Sequence, residues 1–338
     1  MAPETLKPKE TSMQSTNRRA FIGGLAATAI LITHPIMVTA QGANSPLRII
    51  VPASAGSGQD VMVRSAQNAM SKALDRPVIV ENLPGSGGII GTQQLVKAAP
   101  DGNTIAFVSN NHTVNPAVYK KMPYDSLKDI TPITIVGETP FLLVVNPQRL
   151  PVNSAKEMVA LLKAKPDQYN FGSSGNGTIL HLAAEMFVDG AGVKARHIPY
   201  KGAGQMITDL IGGQVDFGVL AVPAVQAHLK AGTLRAVAAT GAIRVPSFAN
   251  IPTLQEQGIN VTVGGWLAAI GPAKLAPPDV KRLNEAIVTA WTSPEVKKAM
   301  AEQENIINPT TPEAAVSTFS REQARYADVV RKAGVTLD

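Results

Sequence analysis

Short apolar runs alternate with amphipathic stretches along the chain from residue 46 onward. The apolar runs are separated by residues that favour turns, chiefly Gly, Pro, Asn and Asp, so the pattern predicts short buried strands. The predicted strands cover residues 47–51, 78–80, 104–108, 141–145, 169–171, 195–198, 216–220, 234–240 and 266–271.

The stretches between these runs carry apolar residues at helical spacing. Those that start at Met62 stand at offsets of 0, 4, 7, 8 and 11, which places them on one face of a helix. Ser154 and Glu157 form a capping-box pattern, and Thr311-Pro312 marks the start of the last predicted helix. Repeated strand–loop–helix units predict an α/β fold, with a parallel or mixed sheet and helices on both faces.

No block of the chain is long enough to be a second independent protein, so we predict two α/β lobes. Residues 46–142 and 266–338 form one lobe, and residues 143–265 form the other. In this arrangement the chain crosses between the lobes twice, near 141–147 and near 262–268.

Composition narrows the class of protein. The chain has 338 residues, of which 45% are hydrophobic and 17% charged, so a folded body is expected. The positive charges are spread along the sequence and only 4% of residues are aromatic, which disfavours a nucleic-acid groove. The net charge of +6 can still attract anions. The chain has no cysteine, which excludes disulfides, thiolate metal sites and a lipoprotein anchor.

The first 40 residues have the pattern of an export signal. Arg18 and Arg19 precede an apolar run at 21–32, and small residues at 38–40 offer a cleavage site. The paired arginines are typical of a twin-arginine signal. An uncleaved membrane anchor is the alternative, but the run is shorter than the roughly 20 residues that span a bilayer.

The first candidate site is the loop at 52–60, between a predicted strand and a predicted helix. Small residues let a ligand approach the backbone, and a helix N-terminus offers free N–H groups to an anion. The alternative is an ordinary strand-to-helix turn, in which Asp60 stabilises the first helical turn. The candidate ligand-binding residues are Ala53, Ser54, Ala55, Gly56 and Ser57.

A second Gly-rich loop, at 81–91, has the context of a dinucleotide site but not its spacing. Ile90 stands where a small residue is needed after Gly85 and Gly87, and no P-loop lysine follows. We therefore expect no nucleotide and no other cofactor. Metal binding is also not expected, because the histidines after the signal are isolated in the sequence: His112, His181, His197 and His228.

The third candidate loop, at 171–178, is rich in Gly and Ser and leads into a helix that carries His181. Its hydroxyl and N–H groups suit a carboxylate. A hydrolase with Ser174 as nucleophile and His181 as base is the alternative. The sequence around Ser174 lacks the second glycine of a nucleophile elbow, because Asn176 stands there, and no third catalytic residue is evident.

All three loops follow predicted strands, and ligands of open α/β sheets bind beyond the carboxyl ends of strands. Loops from the two lobes that meet at such edges define a ligand cleft.

Five segments together resemble the Bug family, the extracytoplasmic solute receptors of tripartite tricarboxylate transporters. They begin at Val80, His112, Phe171, Ile198 and Leu234 and read VENLPGSGGIIGTQQLVKAAPDG, HTVNPAVYKKMPYDSLKDITPI, FGSSGNGTILHLAAEMF, IPYKGAGQMITDLIGGQVDFGV and LRAVAATGAIRVPSFANIPTLQEQG. The resemblance extends over nearly all of residues 46–330.

This resemblance implies a two-lobed type II periplasmic-binding-protein fold with a ligand cleft between the lobes, and no catalysis. It implies that backbone N–H groups, hydroxyls and ordered waters hold the ligand carboxylate. The residues that match are Ala53 to Ser57, then Asn110, Asn111, His112 and Thr113, and then Ser173, Ser174, Gly175, Asn176, Gly177 and Thr178.

Other matching positions have supporting roles in this resemblance. His181 and Asp216 match recurrent positions that brace the cleft or its waters, and Tyr200, Lys201 and Gly202 match a loop that closes over the ligand. The first loop departs from the family, whose members usually read Phe-Pro-Pro-Gly-Gly before the Asp. The replacement at 53–57 is smaller and more polar.

The sequence therefore predicts a periplasmic, monomeric solute receptor. Its ligand is a small organic anion, namely a mono- or dicarboxylate or an aromatic acid, and its partners are the membrane permease subunits of the transporter. A secreted serine hydrolase and a ligand-sensing subunit of a membrane kinase are the alternatives.

Overall fold

The computed structural model describes residues 45–337. The export signal predicted for residues 1–40 lies outside this range. The strands are β1 Leu47–Val51, β2 Val78–Asn82, β3 Thr104–Ser109, β4 Ile130–Thr139, β5 Phe141–Val145, β6 Asn170–Ser173, β7 Arg196–Pro199, β8 Phe217–Ala221, β9 Arg235–Ala239, β10 Gly265–Pro272 and β11 Ile306–Ile307.

Helices follow most of these strands, as the alternating pattern predicts. The helices are α1 Gly58–Leu74, α2 Ile89–Val96, α3 Asn111–Val118, α4 Ala155–Ala164, α5 Ile179–Gly190, α6 Ala203–Ile211, α7 Val222–Lys230, α8 Pro277–Trp291, α9 Pro294–Glu302 and α10 Pro312–Ala333. None of them is long and apolar enough to cross a membrane, over the residues that the structure covers.

The strands form two mixed sheets. The first has the order β11-β4-β10-β3-β1-β2, with β1 parallel to β2 and β3 and with β10 antiparallel to β3 and β4. The second has the order β7-β6-β8-β5-β9, with β6 parallel to β7 and β8 and with β5 antiparallel to β8 and β9. The predicted α/β fold class is confirmed.

Helices cover both faces of each sheet, which explains why the strands are almost continuously apolar. On the first sheet, α1 and α8 cover one face, where Phe107 stacks on Trp291 with 5.0 Å between ring centroids, and α2 and α10 cover the other. On the second sheet, α4 and α5 cover one face and α6 and α7 the other.

Side-chain caps fix the starts of several helices. Ser154 accepts from the N–H of Glu157, and Thr311 accepts from the N–H of Ala314. Both caps were predicted. The carboxylate of Glu157 reaches back to the N–H of Asn153 rather than to that of Ser154. The local sequence therefore determines where these helices begin.

The chain crosses between the sheets at two neighbouring places. Only Pro140 separates β4 from β5, so the second sheet already begins at Phe141. On the return, β10 enters the first sheet at Gly265, opposite Thr139. Thr240 bridges the two crossings, since its N–H and hydroxyl bond to backbone carbonyls on both of them.

The hydrophobic pattern does not predict β4 or β11. Pro132 interrupts the apolar run of β4, and β11 has only two residues. β4 nevertheless pairs with β10 along its length, because its antiparallel neighbours supply the hydrogen bonds that local propensity alone does not favour.

Candidate functional site

A polar cavity of about 220 Å³ lies at the carboxyl-end edge of the first sheet. Three loops enclose it, namely those that follow β1, β2 and β3. Of the predicted ligand-binding residues, Ala53, Ser54, Asn111 and His112 line this cavity. The other lining residues are Pro52, Gln59, Pro84, Gly85, Gly87, Gly88, Thr92, Val108, Ser109 and Asn115.

Three helices begin at the wall of this cavity. Gln59 stands in the first turn of α1, Gly88 is the N-cap of α2, and Asn111 is the first residue of α3. The first N–H groups of a helix have no partner within the helix, and the helix dipole makes this end positive. None of the described lining residues is charged. The cavity therefore offers an anion backbone donors and dipole ends instead of Lys or Arg.

A buried carboxylate holds the first loop. Asp60 is 3% exposed and accepts from the N–H of Gly56 at 2.8 Å, from Asn82 at 2.9 Å and from Arg64 at 2.8 Å. Burial raises the pKa of Asp60, but the bonds from Gly56, Asn82 and Arg64 together outweigh it and hold the pKa below its usual value. Ser57 caps α1 through the N–H of Asp60. Gly56 and Ser57 thus support the loop, Ala55 is exposed on it, and Ala53 and Ser54 line the cavity.

The second Gly-rich loop borders the same cavity. The sequence places this loop among three at strand ends, but none of its residues is among the predicted ligand-binding residues. Gly87 and Gly88 have φ values of +62° and +93°, a conformation that L side chains rarely adopt. Asn115 donates to the carbonyl of Gly87 at 3.1 Å and holds the loop against α3. The cluster of glycines at 85–88 is the sequence signal for these residues.

The side chain of Asn110 points away from the cavity and is fully engaged. Asn110 is 1% exposed. Its Oδ1 accepts from the N–H of Trp266 at 2.7 Å, and its Nδ2 donates to the carbonyl of Gly264 and to the hydroxyl of Tyr326, both at 3.1 Å. The amide therefore joins the loop after β3 to the returning crossing and to α10. Thr113 is likewise buried, and its hydroxyl donates to the carbonyl of Asn110.

His112 is a buried, neutral histidine at the back of the cavity. Burial lowers its pKa to about 4, although the hydrogen bond to the carbonyl of Ser126, at 2.7 Å, opposes the shift. The ring lies between Tyr124 and Phe319, with centroids at 6.1 and 5.6 Å. Because a carbonyl can only accept, Nε2 carries the proton and Nδ1 presents a lone pair.

The loop at 173–178 does not line the cavity. It follows β6 of the second sheet and lies against the far end of α3, where a Cβ on Gly177 would come within 2.7 Å of Val118. Thr178 caps α5 by accepting from the N–H of His181, and the hydroxyl of Ser174 donates to Thr178 at 3.2 Å. The carbonyl of Gly175 accepts from the Thr178 hydroxyl. The six residues Ser173, Ser174, Gly175, Asn176, Gly177 and Thr178 therefore form one compact turn.

The pairing of Ser174 with His181 that a hydrolase requires is not formed. The Nδ1 of His181 accepts from the N–H of Gly177 at 3.2 Å, and its Nε2 lies 3.3 Å from a carboxylate oxygen of Glu185. Ser173 does contact a histidine, since its hydroxyl lies 2.7 Å from the Nε2 of His197. Ser173 is completely buried, however, so no substrate reaches its hydroxyl.

His181 and His197, isolated in the sequence, are stacked in space. Their ring centroids are 3.7 Å apart and their planes differ by 16°. Ligand-type atoms of His181, Glu185 and His197 lie within 4.8 Å of one another. Parallel rings cannot aim two lone pairs at one ion, and the N–H of Gly177 already occupies one nitrogen of His181, so this arrangement does not favour a metal.

Asp216 and the 173–178 loop lie at opposite ends of the strands of the second sheet. Its backbone N–H bonds to the carbonyl of Asn170, at the start of β6, whereas the loop follows the end of that strand. Its carboxylate accepts from the N–H of Asn170 at 2.8 Å and pairs with Arg149. The structure therefore does not bring Asp216 to the cavity.

Two α/β halves, joined by two adjacent crossings and carrying a polar cavity at the strand ends beside them, define the class of the periplasmic binding proteins. Within this class the chain belongs to the family described as tripartite tricarboxylate transporter family receptor, whose pattern matches residues 62–334.

Individual relatives agree with this assignment. BugT of Bordetella pertussis is 34% identical over 328 residues, which span 96% of this chain and 100% of BugT. The structure of the periplasmic binding protein BugD is 30% identical, with a TM-score of 0.72 over 86% of this chain and 99% of BugD. An R. palustris protein solved with adipate is 27% identical, with a TM-score of 0.75 over 86% of this chain and 98% of its own.

Substitution of Asn110 by Ala tests the link between the cavity wall and the crossing. We expect the free energy of unfolding to fall by about 2–4 kcal/mol, because Trp266, Gly264 and Tyr326 each lose a buried partner. Urea denaturation measures this change. Asn111→Ala is the matched control and is expected to lose about 1 kcal/mol or less, since the buried Oδ1 of Asn111 has no hydrogen-bond partner. Equal losses in the two variants would refute the assigned role of Asn110.

His112 predicts a loss of stability in acid. Its pKa of about 4 lies below the value of roughly 6.5 for a free histidine, so the unfolded chain takes up the proton first as the pH falls. The contribution of His112 to stability is therefore complete above about pH 6.5 and is lost towards pH 4, with a total of about 3 kcal/mol. Urea denaturation between pH 7 and 4.5 measures it. His112→Phe keeps a ring at this place and should give a flatter profile, and parallel profiles would refute the account.

Proposed function

We propose that the cavity of the first lobe binds the carboxylate of a small organic acid. The observation that carries this proposal is the convergence of three helix N-termini on an uncharged polar wall. Free N–H groups and positive dipole ends stabilise an anion at such a place. A neutral solute would leave these donors only partly used, so the cavity favours an acid.

The size of the cavity and the family support a mono- or dicarboxylate or an aromatic acid as the ligand. About 220 Å³ is below the usual range for drug-sized ligands and suits a small metabolite. The R. palustris neighbour was solved with adipate, a dicarboxylate. In our proposal one carboxylate binds at the helix N-termini, and the rest of the molecule extends towards the second lobe.

The second lobe completes the site when the cleft closes. The 173–178 loop ends at the N-terminus of α5, whose first N–H groups and positive dipole end can also serve an acid. Tyr200, Lys201 and Gly202 lie beside it, with the N–H of Tyr200 bonded to the carbonyl of Ser173 at 3.1 Å. We propose that hinge motion at the two crossings brings both groups of residues onto the ligand.

The receptor works outside the cytoplasmic membrane in our proposal, after export directed by residues 1–40. The closed form, a monomer, docks on the permease subunits of a tripartite tricarboxylate transporter. Family membership supports transport over a sensory role. The separation of Ser174 from a general base supports a receptor without catalysis over a serine hydrolase.

A thermal-shift screen tests the carboxylate site. We expect at least one small organic acid to raise the melting temperature, while the amide of the same acid does not, because only the acid brings a charge to the helix N-termini. Ser54→Trp places a large side chain in the cavity from an exposed position and should abolish the shift. Ser317→Trp, at an exposed position on α10, is the matched control and should keep it. Equal shifts by acid and amide, or a shift that survives Ser54→Trp, would refute the proposed site.

A further inference from the structure

Two histidine side chains hold the 173–178 loop in place. The N–H of Gly177 donates to the Nδ1 of His181, and the hydroxyl of Ser173 lies within hydrogen-bond distance of the Nε2 of His197. Ser173 in turn bonds to both backbone groups of Gly175. His197 thus holds the start of the loop at Ser173, and His181 holds its end at Gly177.

The two rings support each other by stacking. Their centroids are 3.7 Å apart, and the ring of Phe171 lies beside both of them, at 4.9 Å from His197 and 6.3 Å from His181. His181 is 1% exposed, whereas His197 lies on the edge strand β7 and is partly exposed. The stack therefore places one buried and one partly exposed imidazole directly behind the loop.

This arrangement requires neutral rings. A protonated imidazole has an N–H at both nitrogens, so a protonated His181 cannot accept from Gly177. Two protonated rings would also face each other as like charges at stacking distance. Burial, together with the neighbouring His181, lowers the pKa of His197 to about 4. The neutral form of this ring is therefore favoured in the stack.

The surrounding charged groups do not replace the lost acceptor. Glu185 lies beside the Nε2 of His181 and can stabilise a proton on the ring, but it does not contact Gly177. Lys332 of α10 is paired with Asp189. The titratable and charged groups on the elements packed around the stack are Glu185 and Asp189 on α5, Arg196 on β7, Tyr200 after it, and Arg325 and Lys332 on α10.

We propose that His181 and His197 are positioning residues for the 173–178 loop and that they make ligand capture weaken as the pH falls. The inference rests on the proposed function, in which this loop reaches the ligand from the second lobe. Protons favour the state in which the loop has left the rings, because a protonated His181 cannot accept from Gly177. They also favour it through His197, whose pKa is about 4 in the stack and rises towards 6.5 when the ring is freed, so the preference grows as the pH falls from about 6.5 towards 4.

Hydrogen exchange at the amide of Gly177 tests the inference without a ligand. Its opening constant, corrected for the intrinsic exchange rate, should rise at least about fivefold between pH 6.5 and 5.5, the factor expected for one histidine. His181→Asn places an amide oxygen where Nδ1 stood, so the bond to Gly177 survives and the pH dependence should become smaller, with His197 supplying what remains. His181→Phe keeps a ring without an acceptor and should leave Gly177 unprotected at both pH values.

Calorimetric titration with an acid found in the thermal-shift screen tests the effect on binding. The titration uses an acid whose carboxyl pKa lies near 4, so that the ligand stays ionised between pH 7.5 and 5.5. The dissociation constant should be about fivefold to tenfold larger at pH 5.5 than at pH 7.5, the worth of one hydrogen bond. His181→Asn should show a smaller difference between the two pH values than the unaltered protein. His228→Asn, a substitution in the last turn of α7, is the control and should keep the profile of the unaltered protein.

Two results separate this inference from the proposed function. Binding that is equally tight at both pH values, or a pH dependence as large in His181→Asn as in the unaltered protein, would overturn the role of the histidines and leave the receptor intact. The absence of binding by any acid at either pH would overturn both.

Discussion

The side-chain amide of Asn110 is the interaction on which the geometry of the site depends. It is buried, and it bonds at once to the returning crossing at Gly264 and Trp266 and to Tyr326 of α10. Asn110 also immediately precedes α3, whose first residues line the cavity. The cavity wall and the returning crossing therefore share one support, which holds the start of α3 in place beside the crossing.

In our proposal the site binds charge without presenting charge. Arg64, a cationic side chain of α1, is engaged by Asp60, and the cavity wall is built from glycine, small residues and helix starts. A buried lysine or arginine would carry a desolvation cost in the empty receptor, whereas backbone N–H groups and dipoles carry none of that size. Such a wall fixes the acid group and leaves the choice of the remaining molecule to the shape of the cleft.

Local sequence determines much of the fold but only part of the site. Strand and helix positions, the caps at Ser154 and Thr311, and the loops at strand ends follow from short-range patterns. Ala53, Ser54, Asn111 and His112, which the family resemblance implies as ligand-binding residues, line the cavity. The side chain of Asn110 points away from the cavity because its hydrogen-bond partners draw it there. These partners are 154 to 216 residues away in the chain, and no local pattern reveals them. The stacked pair of His181 and His197 depends in the same way on the pairing of β6 with β7.

Native mass spectrometry of the freshly purified protein tests the central claim most directly, because it weighs what the cleft retains. The account predicts a bound species of low mass that dissociates on unfolding and proves to be an organic acid with a free carboxylate. Retention of a neutral or cationic solute in place of an acid would contradict the claim that three helix N-termini select an anion.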